Sequence, residues 1–327
     1  MGNDWSALIV RLANRRVLVV GDVALDEYLT GKATRMSREA PVPVLEFESR
    51  RLIPGGAANP AANITALGSR AWQVGVIGAD DAATILREAL IERGIDPSGL
   101  VIDSTRPTTV KTRIMAQMGL RFPQQVARLD RLSRQPITAN IEQQVRAVIA
   151  DSIGNVDAVL CSDYRNGLLT PSLVEAIRGL GAGIVLAADA QGELAKYTGF
   201  TLVKCNADEA RDYLRRELHN DADFARAATE LCQSLRLTGG MIITRGASGA
   251  TVATADGQTA HAPAPVVTDV YDTVGAGDTT IAVMTLAVVA GASYPQATLL
   301  ANYASGLVVR RVGNYTPSPE ELTRAAG

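Results

Sequence analysis

Short apolar runs rich in β-branched residues recur along the chain, and several of them end at or just before a glycine or an aspartate. Between them lie segments in which apolar residues recur at three- and four-residue spacing, the pattern of amphipathic helices. Continuous apolar strands that alternate with helices are typical of a mostly parallel sheet buried on both faces. The pattern therefore predicts a layered α/β fold. The predicted strands are residues 16–21, 71–78, 158–162, 184–188, 201–204 and 241–244, and the predicted helices are residues 59–67, 82–93, 140–149, 171–180, 221–235 and 278–290.

Two segments depart from this rhythm and alternate between apolar and polar residues. One covers residues 28–53 and contains Pro41 and Pro43, and the other covers residues 108–130. Because alternation with period two is typical of half-exposed strands, both are predicted to form hairpins outside the main sheet, as a small β-lid over the ends of the parallel strands. No linker rich in glycine, proline or serine separates them from the rest. We therefore predict one domain over residues 1–327, with lid segments at about 28–53 and 108–130.

The charge balance and the cysteines exclude several classes of protein. The 327 residues include 32 basic and 34 acidic ones, a net charge of −2, so neither nucleic acid nor an anionic membrane is the expected partner. The three cysteines have no C-x-x-C spacing, which argues against a disulfide framework and a structural zinc site. The first residues lack the pattern of a secretion signal, and the most apolar stretch is far shorter than the roughly 20 residues needed to span a bilayer. We expect a cytoplasmic protein.

Absent motifs narrow the chemistry further. The chain has no G-x-x-x-x-G-K-[ST] segment and no G-x-G-x-x-G after a strand, so a P-loop enzyme is excluded and a dinucleotide-dependent oxidoreductase is disfavoured. It has only two histidines, His219 and His261, both in polar surroundings. A histidine metal site and a Ser-His-Asp triad are therefore not expected.

The strongest local signal of chemistry is D-T-V-G-A-G-D at residues 272–278, directly before an apolar helix. Gly275, Ala276 and Gly277 leave backbone N–H groups exposed at a helix N-terminus, where the dipole favours negative charge. A carboxylate at Asp278 can accept a proton from an attacking hydroxyl, while these amides stabilise charge on a transferred phosphoryl group. For this motif alone, an N-capping aspartate after a glycine turn is an equal alternative.

Two further motifs suit a polyol ligand. In P-G-G-A-A-N-P-A-A-N at residues 54–63, paired glycines allow a close approach to the backbone, and Asn59 and Asn63 can both donate and accept hydrogen bonds. In G-D-V-A-L-D-E-Y at residues 21–28, Asp22 and Asp26 follow the first strand, at the edge where open α/β sheets bind ligands. The structural alternatives are a glycine turn before a tightly packed helix and a solvated turn with a capping aspartate.

Two motifs follow later strands and suit phosphate and nucleotide. In N-A-D-E at residues 206–209, Asn206 and Glu209 lie on one helical turn and can orient water on Mg²⁺ and phosphate oxygens. In T-R-G-A-S-G at residues 244–249, a turn between two glycines suits contact with a nucleotide. Taken singly, a helix cap and a hairpin turn are the favoured interpretations of these two motifs.

Taken in order across nearly the whole chain, G-D-V-A-L-D-E-Y, P-G-G-A-A-N, N-A-D-E and D-T-V-G-A-G-D resemble the motifs of the ribokinase/PfkB superfamily of sugar kinases. Within it, T-R-M-S-R-E-A-P-V-P-V at 34–44, S-D-Y-R-N-G at 162–167 and the segment from K-T-R-I-M-A to Q-Q-V-A-R-L-D are similar to the D-glycero-D-manno-heptose 7-phosphate kinases, which phosphorylate O1 of the sugar in ADP-heptose synthesis. The resemblance implies a ribokinase-like, three-layer α/β/α fold with a mostly parallel sheet and a small β-lid. It also implies ATP and Mg²⁺ as cofactors and leaves a need for a monovalent cation open. The exposed lid strands have unpaired edges that often pair, so we expect a homodimer formed through the lid.

The resemblance also implies a role for individual residues. Asp278 becomes the catalytic base, Gly275 to Gly277 become the anion hole, and Asn206 with Glu209 organises Mg²⁺ and phosphate through water. The residues assigned to the sugar are Asp22, Gly55, Gly56, Asn59, Lys111, Arg113 and Asp163. The residues assigned to the nucleotide are Thr244, Arg245, Gly246, Gly249 and Asn302, in addition to Asn206 and Glu209.

Lys111 and Arg113 are the residues that bear on a substrate phosphate. They alternate along one predicted lid strand, so their side chains share a face, which the resemblance directs toward the sugar. Two cations are costly over a neutral sugar, whereas opposite a phosphate they form charge-assisted hydrogen bonds. The alternative is an exposed strand face with solubilising charges.

Some positions depart from the heptose-kinase pattern. The chain has Asp189, Ala190 and Gln191 where those kinases usually read D-P-K, and Lys204, Cys205 and Asn206 where they usually read T-P-N. Arg38 also replaces the usual proline of the lid motif. The missing lysine changes the polarity of the phosphate site and leaves the exact substrate open.

Several functions therefore remain. Many relatives in that family are fused to a nucleotidyltransferase with an H-x-G-H motif, which this sequence lacks, so we expect a kinase only. One alternative is another sugar kinase of the superfamily, such as a ribokinase or fructokinase, acting on an unphosphorylated sugar. Another is a degenerate kinase that binds nucleotide or sugar phosphate as a sensor. The altered residues Ala190, Gln191 and Cys205 keep the sensor open, while the intact Asp278 argues against it.

Overall fold

Two β-sheets and the helices around the larger one form the computed structural model, which describes residues 4–119, 123–267 and 270–327. The strands are β1 (Arg16–Gly21), β2 (Val23–Met36), β3 (Pro43–Gly56), β4 (Arg70–Ile77), β5 (Ile95–Ile102), β6 (Val110–Gln117), β7 (Gln124–Arg131), β8 (Ala158–Asp163), β9 (Val185–Ala190), β10 (Leu202–Asn206), β11 (Gly240–Thr244), β12 (Ala250–Thr254) and β13 (Thr259–Ala262). The α-helices are α1 (Trp5–Leu12), α2 (Ala58–Ala66), α3 (Asp81–Glu92), α4 (Ala139–Ile153), α5 (Pro171–Leu180), α6 (Ala207–Leu214), α7 (Asp221–Ser234), α8 (Ala276–Val289), α9 (Tyr294–Val308) and α10 (Pro319–Ala326).

The larger sheet has nine strands in the order β13-β12-β11-β10-β9-β8-β1-β4-β5. Neighbouring strands from β11 to β5 pair in parallel, and β12 and β13 add an antiparallel hairpin at one edge. All six strands predicted from apolar runs lie in the parallel part, with bounds shifted by at most two residues. The prediction of a mostly parallel sheet is therefore confirmed.

Successive residues of the central strands enter two different hydrophobic cores. In β1, Val17 and Val19 pack in one core with residues of α1, α2, α8 and α9, whereas Leu18 and Val20 pack in the other with residues of α4, α5 and α7. Because successive side chains of a strand point to opposite faces, helices cover both faces of the sheet. This is the expected three-layer α/β/α arrangement.

The order of the strands reverses at β1, since β4 and β5 lie on one side of it and β8 to β11 lie on the other. In open α/β sheets, ligands bind in the crevice at the carboxyl ends of the strands beside such a reversal. Here the Asp22 N–H donates to the Ser162 carbonyl at 3.2 Å. A Cβ on Gly21 would lie 2.2 Å from that carbonyl oxygen, so the close approach of β1 and β8 requires glycine.

The smaller sheet has the order β3-β2-β6-β7 and contains both segments predicted for the lid. β2 pairs antiparallel with β3 and parallel with β6, and β6 pairs antiparallel with β7. Its strands exceed the predicted bounds, because β2 begins at Val23 and β3 ends at Gly56. The segment considered as a solvated turn after β1 is therefore mainly strand, and it places Asp26 inside this sheet.

The hydrophobic pattern does not predict α1, β5, α6, α9, α10 or the hairpin of β12 and β13. Most of these elements lie at the edges of the sheet or near the ends of the chain. Within the described ranges, no helix has the length and apolar character to cross a membrane.

Candidate active site

A tight turn before α8 carries the predicted anion hole. Gly275 has a φ of +84°, in the left-handed region that glycine adopts without strain, and α8 begins at Ala276. The Asp272 carboxylate accepts hydrogen bonds from the N–H groups of Val274 at 2.9 Å and Gly313 at 3.0 Å, which fixes the turn. The first N–H groups of a helix have no acceptor within it, so an anion can bind them at the positive end of the dipole.

Asp278 lies in the first turn of α8 and is only 8% exposed. The Tyr164 hydroxyl donates to its Oδ1 at 2.6 Å, and the Asn59 amide donates to its Oδ2 at 2.8 Å. Burial and the Asp189 carboxylate raise the pKa of Asp278 to about 6, against the opposing effect of these two hydrogen bonds. A carboxylate with that pKa can take a proton near neutral pH. The sequence does not single out Tyr164, although it lies inside the S-D-Y-R-N-G segment.

Both glycines of the turn lie against polar side chains of the candidate site. A Cβ on Gly275 would lie 2.6 Å from Asn59 Nδ2, and a Cβ on Gly277 would lie 2.9 Å from Lys204 Nζ. Lys204 forms a buried ion pair with Asp189. Burial alone would lower the pKa of Lys204, but the Asp189 carboxylate outweighs burial and raises it. In the sequence, Lys204 stands out only as a departure from the related kinases.

Asp22 anchors the loop that carries Tyr164. Its carboxylate accepts hydrogen bonds from the N–H groups of Tyr164 and Asn166, both at 3.0 Å, and from that of Leu168 at 3.4 Å. Burial nevertheless raises the pKa of Asp22 to about 6. This predicted sugar ligand therefore borders the site and also positions the tyrosine that binds Asp278.

The P-G-G-A-A-N segment leads from β3 into α2 beside the lid. Gly56 has a φ of +57°, and a Cβ on Gly55 would lie 2.0 Å from Asp26 Oδ2. The buried Asp26 accepts a hydrogen bond from Asn314 Nδ2 at 2.9 Å and pairs with Arg113 at 2.5 Å. Asn314 is a polar residue of this cluster that no sequence motif indicates.

Lys111 and Arg113 project from the same face of β6, as alternation predicts. The Lys111 ammonium lies 4.7 Å from the centre of the Tyr164 ring, and Arg113 Nη1 donates to Asp26 Oδ1. Burial lowers the pKa of Arg113, but Asp26 outweighs it and raises that pKa overall. A cavity of about 340 Å³ adjoins this face, and its wall includes Arg113, Arg51 and residues of the turn before α8.

The predicted sugar ligand Asp163 and the motif residue Asn63 have their polar groups engaged inside the protein. The Asp163 carboxylate accepts hydrogen bonds from Lys196 Nζ at 2.6 Å and from the Tyr197 hydroxyl at 2.7 Å. Asn63 is fully buried and accepts a hydrogen bond from the Thr279 hydroxyl at 3.0 Å, which ties α2 to α8. These contacts give both residues a structural role beside the site.

A second cavity, of about 550 Å³, opens beside the predicted anion hole. The predicted nucleotide residues in its wall are Thr244, Gly246, Gly249 and Asn302. Its apolar wall is formed by Pro265, Val266, Val267, Val270 and Val309, and Ala276, Gly277 and Thr280 lie at its α8 end. An apolar cleft that ends at helix N–H groups suits a planar base joined to phosphates.

Arg245 is held away from this cavity. Its Nη1 pairs with Asp221 at 2.7 Å, and its guanidinium lies 4.3 Å from the centre of the Phe224 ring. Both partners belong to α7, and Arg245 is not among the residues that line the cavity. The sequence places Arg245 in the loop after β11, but its side chain points toward α7 and not, as predicted, toward the nucleotide cavity.

Asn206 and Glu209 form a capping box at the start of α6. Asn206 Oδ1 accepts the Glu209 N–H at 2.9 Å, and Glu209 Oε2 accepts the Asn206 N–H at 2.7 Å. Burial raises the pKa of Glu209. Over the described residues, no cluster of three or more His, Cys, Asp or Glu could hold a metal ion. Oxygen donors of this kind fit Mg²⁺ as partners of its bound water rather than as a complete cage.

Comparison with known proteins identifies the family. Residues 14–321 match the family described as pfkB family carbohydrate kinase. The chain belongs to the pfkB family. It is therefore a phosphotransferase that acts on a sugar hydroxyl.

Curated relatives agree with this membership. The bifunctional protein HldE of Geotalea uraniireducens is 37% identical over 327 residues, 99% of this chain and 65% of that protein. The protein of the same name from Caulobacter vibrioides is 37% identical over 319 residues, 96% of this chain and 64% of that protein. The pfkB-family chain thus spans slightly less than two thirds of the length of these curated relatives.

Two solved structures share the fold. Escherichia coli phosphofructokinase-2 in complex with substrates and products superposes with a TM-score of 0.77 at 19% identity and covers 96% of this chain and 98% of its own. Arabidopsis thaliana ribokinase complexed with ribose and ATP has a TM-score of 0.72 at 17% identity and covers 96% of this chain and 99% of its own. The pfkB-family chain therefore has the ribokinase-like fold that its motifs predict.

Proposed function

We propose that this pfkB-family kinase transfers the γ-phosphoryl group of ATP to O1 of D-glycero-D-manno-heptose 7-phosphate, giving the 1,7-bisphosphate for ADP-heptose synthesis. The observation that carries the proposal is the basic wall of the 340 Å³ cavity, to which Arg51 and Arg113 contribute. A sugar that already carries a phosphate needs cations away from the reacting hydroxyl, and arginine binds phosphate bidentately. The lid motifs and the relatives named HldE, at 34–39% identity, support the same substrate.

In the proposed reaction, Asp278 takes the proton of the attacking sugar hydroxyl. Tyr164 and Asn59 orient its two carboxylate oxygens, at 2.6 and 2.8 Å. The N–H groups at the start of α8 stabilise the charge that develops on the phosphoryl group. Bound Mg²⁺ supplies further neutralisation of the phosphate chain, and Asn206 with Glu209 would hold it through water.

The proposal assigns ATP to the 550 Å³ cavity. This volume lies within the usual range of ligand pockets, and the apolar wall suits a purine. The Asn302 amide donates to the Ala262 carbonyl at 2.7 Å, which fixes one side of the cavity.

We also propose that two copies pair through the lid. Phe47 on β3 and Leu129 on β7 are 70% and 69% exposed, and both strands are edges of the four-stranded sheet. Exposed apolar residues beside unpaired strand edges favour association. Light scattering after size-exclusion chromatography measures the molar mass and so tests whether a dimer forms.

We also propose a cytoplasmic location, which is supported by Cys161, Cys205 and Cys232, since all three are buried free thiols.

One observation favours a different sugar kinase activity. Arg113 already donates to the buried Asp26, so part of its guanidinium is engaged inside the protein. A ribokinase-like or fructokinase-like enzyme acting on an unphosphorylated sugar would use such a polar pair for hydroxyl groups. A sensor without turnover is the remaining alternative.

A steady-state kinetic screen with ATP and Mg²⁺ tests these functions. The substrates are heptose 7-phosphate, free heptose, ribose, fructose and fructose 6-phosphate, and Asp278→Asn is the blank. We expect kcat/KM for heptose 7-phosphate to exceed that for any unphosphorylated sugar by at least about a hundredfold, the scale of one or two charged hydrogen bonds. Preference for a free sugar would refute this substrate. ATP binding without turnover of any sugar would favour the sensor.

A further inference from the structure

Lys204 brings a buried ammonium group to the anion hole. It lies near the carboxyl end of β10, directly opposite Asp189 of β9 in the parallel register, and is 5% exposed. Its Nζ donates to Asp189 Oδ1 and Oδ2, both at 2.7 Å. A Cβ on Gly277 would lie 2.9 Å from Lys204 Nζ and 3.9 Å from Asp189 Oδ2. The cation is therefore the member of the pair that lies nearer to the anion hole.

Stability does not explain an ion pair at this place. Taking two charges out of water is costly, and well-packed apolar residues of similar volume often stabilise a protein as well or better. On the same face of the sheet, Leu202 of β10 and Ala187 of β9, each two residues before a member of the pair, are fully buried in a hydrophobic core. An apolar pair would fit these surroundings, so the charge needs another reason.

The ammonium also retains a donor for a ligand. An ammonium has three N–H donors, and within the described residues Lys204 makes two hydrogen bonds, both to Asp189. The carboxylate holds the ammonium in place beside Gly277. A donor fixed in this way stabilises developing charge without reorganisation.

A second lysine, whose side chain is 9% exposed, provides a contrast. Lys196 donates to Asp163 Oδ2 at 2.6 Å and to the Leu169 carbonyl at 3.0 Å, and it lies 3.1 Å from Glu193 Oε2. These three partners account for its three donors. Lys196 is therefore satisfied inside the protein, whereas Lys204 is not.

We propose that Lys204 is a catalytic residue that contacts the phosphoryl group in transfer, and that Asp189 is the residue that positions it. The inference rests on two parts of the proposed function: the phosphoryl donor is a nucleoside triphosphate, and transfer takes place at the start of α8. It does not depend on which sugar is the acceptor. The sugar oxygen bonds to the γ-phosphorus while the bond to the β,γ-bridging oxygen breaks. The electron pair leaves with the nucleoside diphosphate, and the hydroxyl proton passes to Asp278. Lys204 remains an ammonium and offsets charge on the phosphoryl oxygens.

Substitution with methionine tests this role. Lys204→Met should lower kcat by about a hundredfold, the scale of one lost donor in an oxyanion site, and change KM for the sugar less than about threefold. Lys196→Met, which also removes a buried ammonium, calibrates the loss of thermal stability alone. In Asp189→Leu/Lys204→Met both charges are gone, so stability should recover toward that of the wild type while kcat stays at least about thirtyfold low. Recovery of kcat to within about threefold of wild type would show that the pair is only structural.

A binding measurement gives a readout without turnover. Calorimetry with ADP, sugar and aluminium fluoride, which mimics the phosphoryl group in transfer, should show at least about tenfold weaker binding for Lys204→Met, whereas ADP alone should bind within about twofold of wild type. Equal weakening of both complexes would overturn the proposal. If the wild type prefers another sugar, the same test applies with that sugar. A wild type that turns over no sugar and forms no aluminium fluoride complex overturns the proposed function and this inference together.

Discussion

Substituting Asp278 by asparagine separates the proton acceptor from the shape of the site. The amide fills the same space between Tyr164 and Asn59 but cannot take the proton of the sugar hydroxyl. We expect kcat to fall by at least about a hundredfold, the usual scale for a positioned general base, while ATP and sugar bind nearly as before.

The pKa of Asp278 sets the pH range in which the wild type works. With a pKa of about 6, the carboxylate is about nine-tenths ionised at pH 7 and about one-tenth ionised at pH 5. Because the base must be ionised to accept the proton, kcat should fall about tenfold between these two values. The small remaining activity of Asp278→Asn should lack this acid limb.

The same substitution should stabilise the protein at neutral pH. Burial raises the pKa of Asp278 from 3.8 to about 6, so ionisation costs folding about 3 kcal/mol above pH 6 and nothing below pH 3.8. Asparagine has one amide oxygen where aspartate has two acceptor oxygens. If that oxygen accepts from Tyr164, the new NH₂ group faces the NH₂ group of Asn59, and the lost hydrogen bond costs about 1 kcal/mol. We expect a net gain of about 2 kcal/mol at pH 8 that disappears between pH 5 and 4 and becomes a loss of up to about 1 kcal/mol at lower pH.

A coupled assay of ADP release from pH 5 to 8.5 and urea unfolding at pH 4 and 8 measure these effects. Asp256→Asn, which alters an exposed carboxylate in the turn between β12 and β13, is the matched control. If Asp278→Asn keeps more than about a tenth of the wild-type kcat, Asp278 is not the base. A wild-type kcat that does not change between pH 7 and pH 5 would exclude Asp278 as the group that limits activity in acid.

Three further substitutions test other contacts of the site. Arg113→Ala should raise KM for the sugar phosphate by about tenfold or more and leave KM for ATP unchanged. An unchanged sugar KM would contradict the phosphate site. The double variant Asp26→Asn/Arg113→Ala controls for the carboxylate that loses its partner. Tyr164→Phe removes a hydrogen bond that lowers the pKa of Asp278, so the acid limb of kcat should move to higher pH, and an unmoved limb would exclude this coupling. Gly275→Ala should cost at least about 1 kcal/mol in urea unfolding and reduce kcat, because its Cβ would meet the amide that binds Asp278. Gly291→Ala has nearly the same φ, +83°, but nothing within 4 Å, and separates backbone strain from that clash.

Local pattern predicts a strand or helix correctly where the segment's own residues are enough to specify it. β1 and β8 are continuous apolar runs, since a strand buried on both faces needs apolar residues at every position. β5 lies at the edge of the sheet and contains Pro97 and Gly99, which weaken a strand pattern. α9 is missed although Ser293 and Gln296 form a capping box at its start, a signal that the apolar periodicity does not use.

In the candidate site, local motifs predict those groups that lie close together in the sequence and are positioned by the same short stretch of backbone. Gly275 and Asp278 lie within four residues of each other, so the turn, the helix start and the carboxylate are specified together. Tyr164 is 114 residues from Asp278, and its bond to that carboxylate depends on how Asp22 folds the loop after β8. Such a contact has no signature in either segment.

The layered α/β fold, the glycine turn and the carboxylate at the start of one apolar helix can be predicted from the sequence, because helix capping, glycine turns and strand burial are local properties. The resemblance of the motifs adds the sugar kinase family. The pairing of Lys204 with Asp189 beside Gly277 depends on tertiary structure, since strand order and register bring β9, β10 and α8 together. The same holds for Arg245, which turns toward α7, and for Asp163, which accepts from Lys196. Side chains that pair across strands are neighbours through the crossover connections of the whole sheet, and no single segment contains that information.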